Sequence, residues 1–161
     1  MIIISIDPGY ERLGIAVLEK ESGKEILIYS DCIRTSPKNS HEDRMLELGI
    51  QLEDLIKKYS PSVFVFESLF FNSNQKTVMN VSKTLGALIY IAKKNSLDVF
   101  EFTPPQIKVA VTGNGRSSKE GVMKMIPLLI KVTKEKMLDD EYDAIACGLT
   151  YFANQHTLST R

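Results

Sequence analysis

Long apolar runs and cysteine are scarce in this sequence, and net charge is absent, with 20 basic residues balancing 20 acidic ones. The longest apolar stretches, such as Met1 to Ile4 and Ser62 to Phe66, fall far short of the roughly 20 residues that cross a bilayer. No charged-then-apolar leader precedes them, so a soluble, cytoplasmic chain is expected, with no membrane role. The two cysteines, Cys32 and Cys147, form no Cys-x-x-Cys pair and have no histidine at metal-ligand spacing; they read as reduced, buried or half-buried thiols. No internal repeat, low-complexity tract or linker interrupts the chain, and its 161 residues, 43% of them hydrophobic, suit one domain spanning 1–161.

Zero net charge argues mildly against a nucleic-acid partner, because neutralising phosphates supplies most non-specific affinity. The distribution argues the other way. From Thr103 to Met137 seven Lys or Arg face two acids, and from Asn72 to Asn95 four lysines, Lys76 and Lys83 among them, face none. A cationic face beside a locally acidic centre is the expectation.

The apolar pattern predicts an α/β domain. Met1 to Ile6 is a β-branched run that stops at Pro8-Gly9, a buried strand ending in a turn with Asp7 at its end. Leu13 to Glu19 and Glu25 to Ile33 follow as strands, giving an antiparallel meander of three. Met45, Leu48, Leu52, Leu55 and Ile56 recur at helical spacing over His41 to Tyr59, behind Ser40 as N-cap. Ser62 to Phe66 reads as a central strand with Glu67 at its end. Phe70, Phe71 and Asn72 to Asn74 form a polar and aromatic loop before a helix marked by Val78 to Ala92. A strand over Asp98 to Phe102, a short helix around Gln106 to Thr112, a helix from about Ser118 to Ile130 and a last one from Asp139 to about Asn154 complete the chain. The order is written βββαβαβαα, a mixed five-stranded sheet flanked by helices.

Asp7 and Glu67 each end an apolar run, and the sheet delivers both to one edge if their strands are adjacent. A carboxylate beside a buried strand is desolvated unless paired or bound to a cation, and no Arg or Lys is next to either in sequence. A third acidic piece, Leu138-Asp-Asp-Glu-Tyr-Asp143, opens the last helix, where acids also complement the macrodipole. Asp140 shares a helix face with Asp143 at i,i+3, but so does Asp139 at i,i+4, and spacing does not choose between them. Three or four carboxylates on one edge suit one or two hard divalent cations, and phosphodiester hydrolysis is the chemistry such a site supports.

These residues, taken in order, resemble the RuvC family of Holliday junction resolvases, which share the ribonuclease H-like fold. Ile6-Asp-Pro-Gly9 is similar to the family's first-strand motif, Phe66-Glu67 to its second acidic position, and Asp140-Glu-Tyr-Asp143-Ala to its paired acids on the final helix. Phe102-Thr-Pro-Pro-Gln-Ile-Lys108 and Val111-Thr-Gly-Asn-Gly-Arg116, with Lys119 after them, resemble the segment that distinguishes these resolvases. The likeness runs from residue 1 to about 153. It implies Asp7, Glu67, Asp140 and Asp143 as catalytic metal ligands, with Asp139 as understudy, and Mg²⁺, two ions per site, as cofactor, Mn²⁺ substituting. It implies Lys119 as a catalytic cation and Lys108 and Arg116 as DNA-contacting groups, to which the basic stretch from Asn72 to Asn95 adds Lys76 and Lys83. Phe70, or Phe71 in its place, becomes an aromatic wedge at the junction; stacking on a base is worth about 1–3 kcal/mol. A homodimer cutting opposed strands of a four-way junction follows, with the helix Val78 to Ala92 against its mate, and a branch-migration motor as a further partner.

Ser68, the Cys147-Gly148 pair and the zero net charge depart from the family's pattern. His41 and His156 match no catalytic position and are assigned surface or capping roles. Two other readings compete: a ribonuclease H-like nuclease acting on structured RNA, and a non-catalytic junction-binding protein. An actin-like or sugar-kinase ATPase shares the Asp-x-Gly strand but needs two such domains, and this chain is too short for them.

Overall fold

The computed structural model describes residues 1–69 and 75–158, without the side chains of 75–76 and 156–158. Five strands, β1 (Ile2–Asp7), β2 (Arg12–Glu21), β3 (Lys24–Arg34), β4 (Val63–Glu67) and β5 (Asp98–Phe102), make one sheet in the order β3-β2-β1-β4-β5. The first three pair antiparallel, as the hairpin signal at Ser22-Gly23 requires, while β4 and β5 join β1 in parallel through helical crossovers. The helices are α1 (His41–Tyr59), α2 (Gln75–Lys94), α3 (Pro104–Thr112), α4 (Lys119–Leu129) and α5 (Asp139–Leu158). This is the expected α/β mixed sheet; three helices follow β5, the short one around Gln106 to Thr112 standing as an element of its own.

Local chemistry sets the helix ends. The Ser40 hydroxyl caps α1 by accepting from the Asp43 N–H at 3.1 Å, Glu42 and Asp43 oppose the dipole in the first turn, and Lys57 and Lys58 do so in the last. Gln106 Oε1 accepts from the Thr103 N–H at 2.8 Å to start α3, and the Ser118 hydroxyl starts α4.

Both faces of the sheet are covered. On one, Ile4, Ile6, Phe64 and Phe66 pack with Leu48, Leu52 and Ile56 of α1 and Leu85, Leu88 and Ala92 of α2. On the other, Ile3, Ala16, Leu18, Val63 and Val65 pack with α3, α4 and α5. Double coverage explains why β1 and β4 are apolar without alternation. The period of two still decides which way each residue faces. Ile3 and Val65 face α5, and Ser5 does too, its hydroxyl donating to the Ala144 carbonyl at 2.7 Å. Asp7 and Glu67 continue those two rows beneath α5.

Two glycines let α5 come that close. A Cβ at Gly14 of β2 would collide with the backbone carbonyl of Asp140, and one at Gly148 would meet Leu18 Cδ1 at 2.6 Å and Ser5 Oγ at 2.8 Å. The Cys147-Gly148 pair therefore has a packing reason. Gly14→Ala is expected to lower stability by about 1–3 kcal/mol in urea titrations. Gly121→Ala in α4, where the added methyl meets nothing nearer than 3.6 Å, is expected to be neutral or stabilising by up to about 1 kcal/mol. Equal effects at the two positions would contradict this packing.

Candidate active site

The parallel pairing of β1 with β4 aligns Ile6 with Phe66, so Asp7 and Glu67, one step further along each strand, emerge side by side at the C-terminal edge of the sheet. The condition left open in the sequence, adjacency of the two strands, is met. α5 begins over the same edge and brings Asp140 and Asp143, whose side chains are 17% and 21% exposed. Lys119, the first residue of α4, reaches in from the other side, its Nζ 2.7 Å from Asp143 Oδ2 and 3.0 Å from Asp139 Oδ2.

The electrostatics report this crowding. Asp7 is pushed up to about 8, first by burial and then by the charges of Asp143, Glu67 and Asp140, with Lys119 pulling the other way. Glu67 is pushed up to about 7 by burial and by Asp143, against Lys119 and Lys108. Burial also raises Asp143, opposed by its bond to Lys119. Burial works against the Lys119 charge, yet its bonds to Asp143 and Asp139 hold the ammonium above its usual range. Two carboxylates shifted to near neutrality by desolvation and like charge mark a functional site more often than a structural one.

Asp139 behaves differently. Its side chain is 45% exposed, it is absent from the charges that raise Asp7, and the Lys119 bond, then Arg12, hold it down at about 2. Asp140 and Asp143 face the strand acids, and Asp139 faces two cations.

The donor set is all carboxylate, the chemistry that hard divalent cations take. A cation among these acids would relieve the repulsion that adds to burial in raising Asp7 and Glu67, and on that ground the residues fit a metal. Among the described residues no three acidic, histidine or cysteine side chains are arranged to hold a metal ion; Lys119 and Arg12 sit against the helix acids instead.

Lys108 of α3 lines a cleft of about 180 Å³ with Glu67, Pro104, Ile107, Lys119, Val122 and Asp143. Arg116 lies exposed in the α3–α4 loop, where its N–H donates to Asn114 Oδ1 at 3.0 Å. Lys83 is exposed on α2, across the sheet from α5, and is not brought to the cleft. Phe70 and Phe71 lie outside the described residues, as do the side chains of Lys76 and His156. His41 does not fit a surface or capping role: its ring bridges α1 to α2, with Nε2 at 3.1 Å from the Asn80 carbonyl and 3.3 Å from Thr84 Oγ1, and stacks edge-on against Tyr10.

Sequence reasoning missed Arg12, Cys32 and Glu141. Arg12 starts β2 and ion-pairs with both Asp139 and Asp140; Cys32 Sγ lies 3.5 Å from Asp140 Oδ2. Glu141 is almost fully buried, accepting from Ser30, Lys134 and the Leu138 N–H, which ties the start of α5 to β3. Only the strand register, which pairs Asp7 with Gly14, could have announced Arg12. Cys147 is fully buried, and burial pushes its thiol well up, with Glu67 and Asp7 adding to the effect.

A carboxylate whose folded pKa is raised binds more protons folded than unfolded, so its stabilising contribution is present below the ordinary carboxylate range and lost as pH rises through the folded value. In a chelator the protein is therefore expected to lose stability between about pH 5 and 8. Asp7→Asn should be the more stable chain at pH 8, by about 2 kcal/mol, with the advantage vanishing toward pH 4. Denaturant midpoints across that range check it, and a wild type that gains stability instead would contradict the crowding of acids.

Residues 3–151 match the family described as crossover junction endodeoxyribonuclease RuvC. The protein of that name from Alkaliphilus metalliredigens is 36% identical over 156 residues, 97% of this chain and 95% of its own length. Its counterpart from Petrotoga mobilis is 38% identical over 151 residues, 94% of this chain and 93% of the relative. Among solved structures, that of Thermus thermophilus RuvC superposes with a TM-score of 0.87 at 25% identity, covering 98% of this chain and 96% of the other.

Proposed function

The chain belongs to the RuvC family of crossover junction endodeoxyribonucleases, and from that premise we propose that it resolves four-way DNA junctions by hydrolysing opposed phosphodiester bonds, in recombination and repair. One observation carries the site: Asp7 and Glu67 from a parallel strand pair meet Asp140 and Asp143 from α5 at one half-buried edge, with Lys119 among them. Neither an RNA substrate nor a non-catalytic role is favoured, since the named relatives are junction endonucleases and a binder gains nothing from four mutually repulsive acids.

Divalent metal dependence goes with the family, and Mg²⁺, two ions per site, is the assignment we propose, with Mn²⁺ able to substitute. Asp7, Glu67, Asp140 and Asp143 would hold them. When bound, such ions supply an activated water and charge stabilisation at the leaving 3′ oxygen. The protein's own part is positional and electrostatic. Lys119 stands at the mouth of the acid cluster, able to swing its ammonium toward a phosphate oxygen as charge develops there. Lys108, in the same cleft, would offset negative charge where the strand enters, and Arg116, exposed beside the Gly113 and Gly115 backbone, would contact phosphate. Phe70 or Phe71 as a wedge, and Lys76 as an outer phosphate contact, complete the reading of the DNA-facing residues.

Symmetric cutting needs two sites, and a two-fold homodimer provides them. Leu46 and Ile50 on α1 and Met79 on α2 are 63%, 52% and 61% exposed, and Met45, Leu46, Gly49, Ile50, Ala87 and Ile91 line a groove between the two helices. This apolar face is the one we assign to the mate, with the cytoplasm as the compartment; among the described residues no helix is long and apolar enough to cross a membrane.

Asp7→Asn and Asp143→Asn are each expected to slow junction cleavage by at least about 100-fold while gel-shift binding persists. Lys119→Met should slow it by about 10- to 100-fold. Wild-type rates in the aspartate variants would remove these acids from the chemistry. Ile50→Glu is expected to sediment as a monomer and to lose paired nicking; an intact dimer would move the interface elsewhere.

A further inference from the structure

Arg12 has no place in the resemblance, yet it occupies the acid cluster. It is the first residue of β2, and its register partner across the hairpin is Arg34, a like charge that offers it nothing. Its Nη2 instead turns to the start of α5, pairing with Asp139 Oδ1 at 2.7 Å and with Asp140 Oδ2. The same Asp140 oxygen is 3.5 Å from Cys32 Sγ. A carboxylate proposed above as a metal ligand therefore already carries a cation on one of its two oxygens.

A guanidinium and a divalent ion on one carboxylate compete for it, because like charges a few ångströms apart repel in a half-buried setting. Asp139 provides somewhere else for Arg12 to stay. Its carboxylate is well exposed and is held at both ends, by Arg12 on Oδ1 and by Lys119 on Oδ2. On leaving Asp140, Arg12 keeps this second partner and needs no long excursion. The five groups alternate in sign as Asp140, Arg12, Asp139, Lys119 and Asp143 across the first turns of α5.

We infer that Arg12 is a positioning residue: a resident counter-ion that holds Asp140 until a divalent cation displaces it, with Asp139 the anchor that retains the displaced guanidinium at the rim of the site. The inference rests on the reading of Asp140 as a metal ligand. It makes metal loading a competition between an internal cation and an external one, so that Arg12 sets the metal concentration at which the site fills. It also reassigns Asp139 from understudy ligand to anchor.

The test is Mn²⁺ binding to DNA-free protein, read from the electron paramagnetic resonance of free Mn²⁺, so that no step of catalysis enters. R12Q is expected to bind Mn²⁺ about two- to fivefold more tightly than wild type, the range for a half-exposed ion pair. R12K, which keeps the charge, should return affinity to the wild-type value. R34Q, one strand away and ion-paired to nothing among the described residues, should leave it unchanged, and R12Q should have no effect in a D140N background. Because R12Q alters the start of a strand, a second measurement is made on wild-type protein: the Arg12 Nε–Hε resonance should shift when Mg²⁺ is added and stay put in D140N. R12Q binding no tighter than wild type, R34Q tightening as much as R12Q, or an Arg12 resonance unmoved by Mg²⁺ would each overturn the inference while leaving the metal site intact. Wild type that binds no Mn²⁺ at all would overturn the metal reading, and this one with it.

Discussion

The close approach of α5 to β1 and β2 is the constraint on which the rest of this structure depends. Gly14 yields to the Asp140 carbonyl, Gly148 yields to Leu18 and Ser5, and the Ser5 hydroxyl reaches up to the Ala144 carbonyl. With the helix set down at that height, its first turns lie over the strand ends that carry Asp7 and Glu67. A helix one side-chain layer higher would leave the same four acids in water, with ordinary affinities for protons and little use for a cation. Depth is what converts four common residues into a site.

That depth has an energetic consequence the protein manages locally. Like charges under a helix destabilise the fold, and here the opposition comes from charges of the other sign placed at the rim. Lys119 and Arg12 bridge the helix acids, while Glu141, sealed between Ser30, Lys134 and the Leu138 N–H, holds the start of α5 to the sheet through a network that is fully satisfied. The acids thus differ in their partners: Asp7, Glu67 and Asp143 answer chiefly to burial, Asp139 to two cations. One acidic run in the sequence divides according to what each side chain meets: Asp140 and Asp143 the strand acids, Asp139 two cations, Glu141 a hydrogen-bond network of its own.

Much of this was legible in the chain before any coordinates. Apolar runs that end in acid at Asp7 and Glu67, the helical spacing after Ser40, and the Ser118 start all read correctly, because each depends on neighbours within a few residues, while the short helix read around Gln106 begins two residues earlier, capped by Thr103. Resemblance added Lys119 and the preference for Asp140. What sequence could not supply were relations across long separations. Arg12 meets Asp139 and Asp140 from more than 120 residues away, His41 joins α1 to α2 where a surface role was expected, and Lys83 falls on the far side of the sheet from the cleft. Charge counting had grouped Lys83 with the DNA-facing lysines because it sees composition along the chain and not the face a helix presents. The zero net charge is reconciled in the same way, since basic residues at the cleft coexist with acids elsewhere.

The central claim is that four carboxylates from three elements form one divalent-cation site beneath α5. Crystals of the protein soaked in Mn²⁺ and measured at the manganese absorption edge test it most directly. The account predicts anomalous peaks within ligand distance of Asp7, Glu67, Asp140 and Asp143, about 2.0–2.3 Å from their oxygens, with Asp139 making no bond to metal. Peaks bound by Asp139 or Glu141 in place of Asp7 and Glu67, or no peak at this edge of the sheet in protein that binds Mn²⁺ in solution, would contradict it.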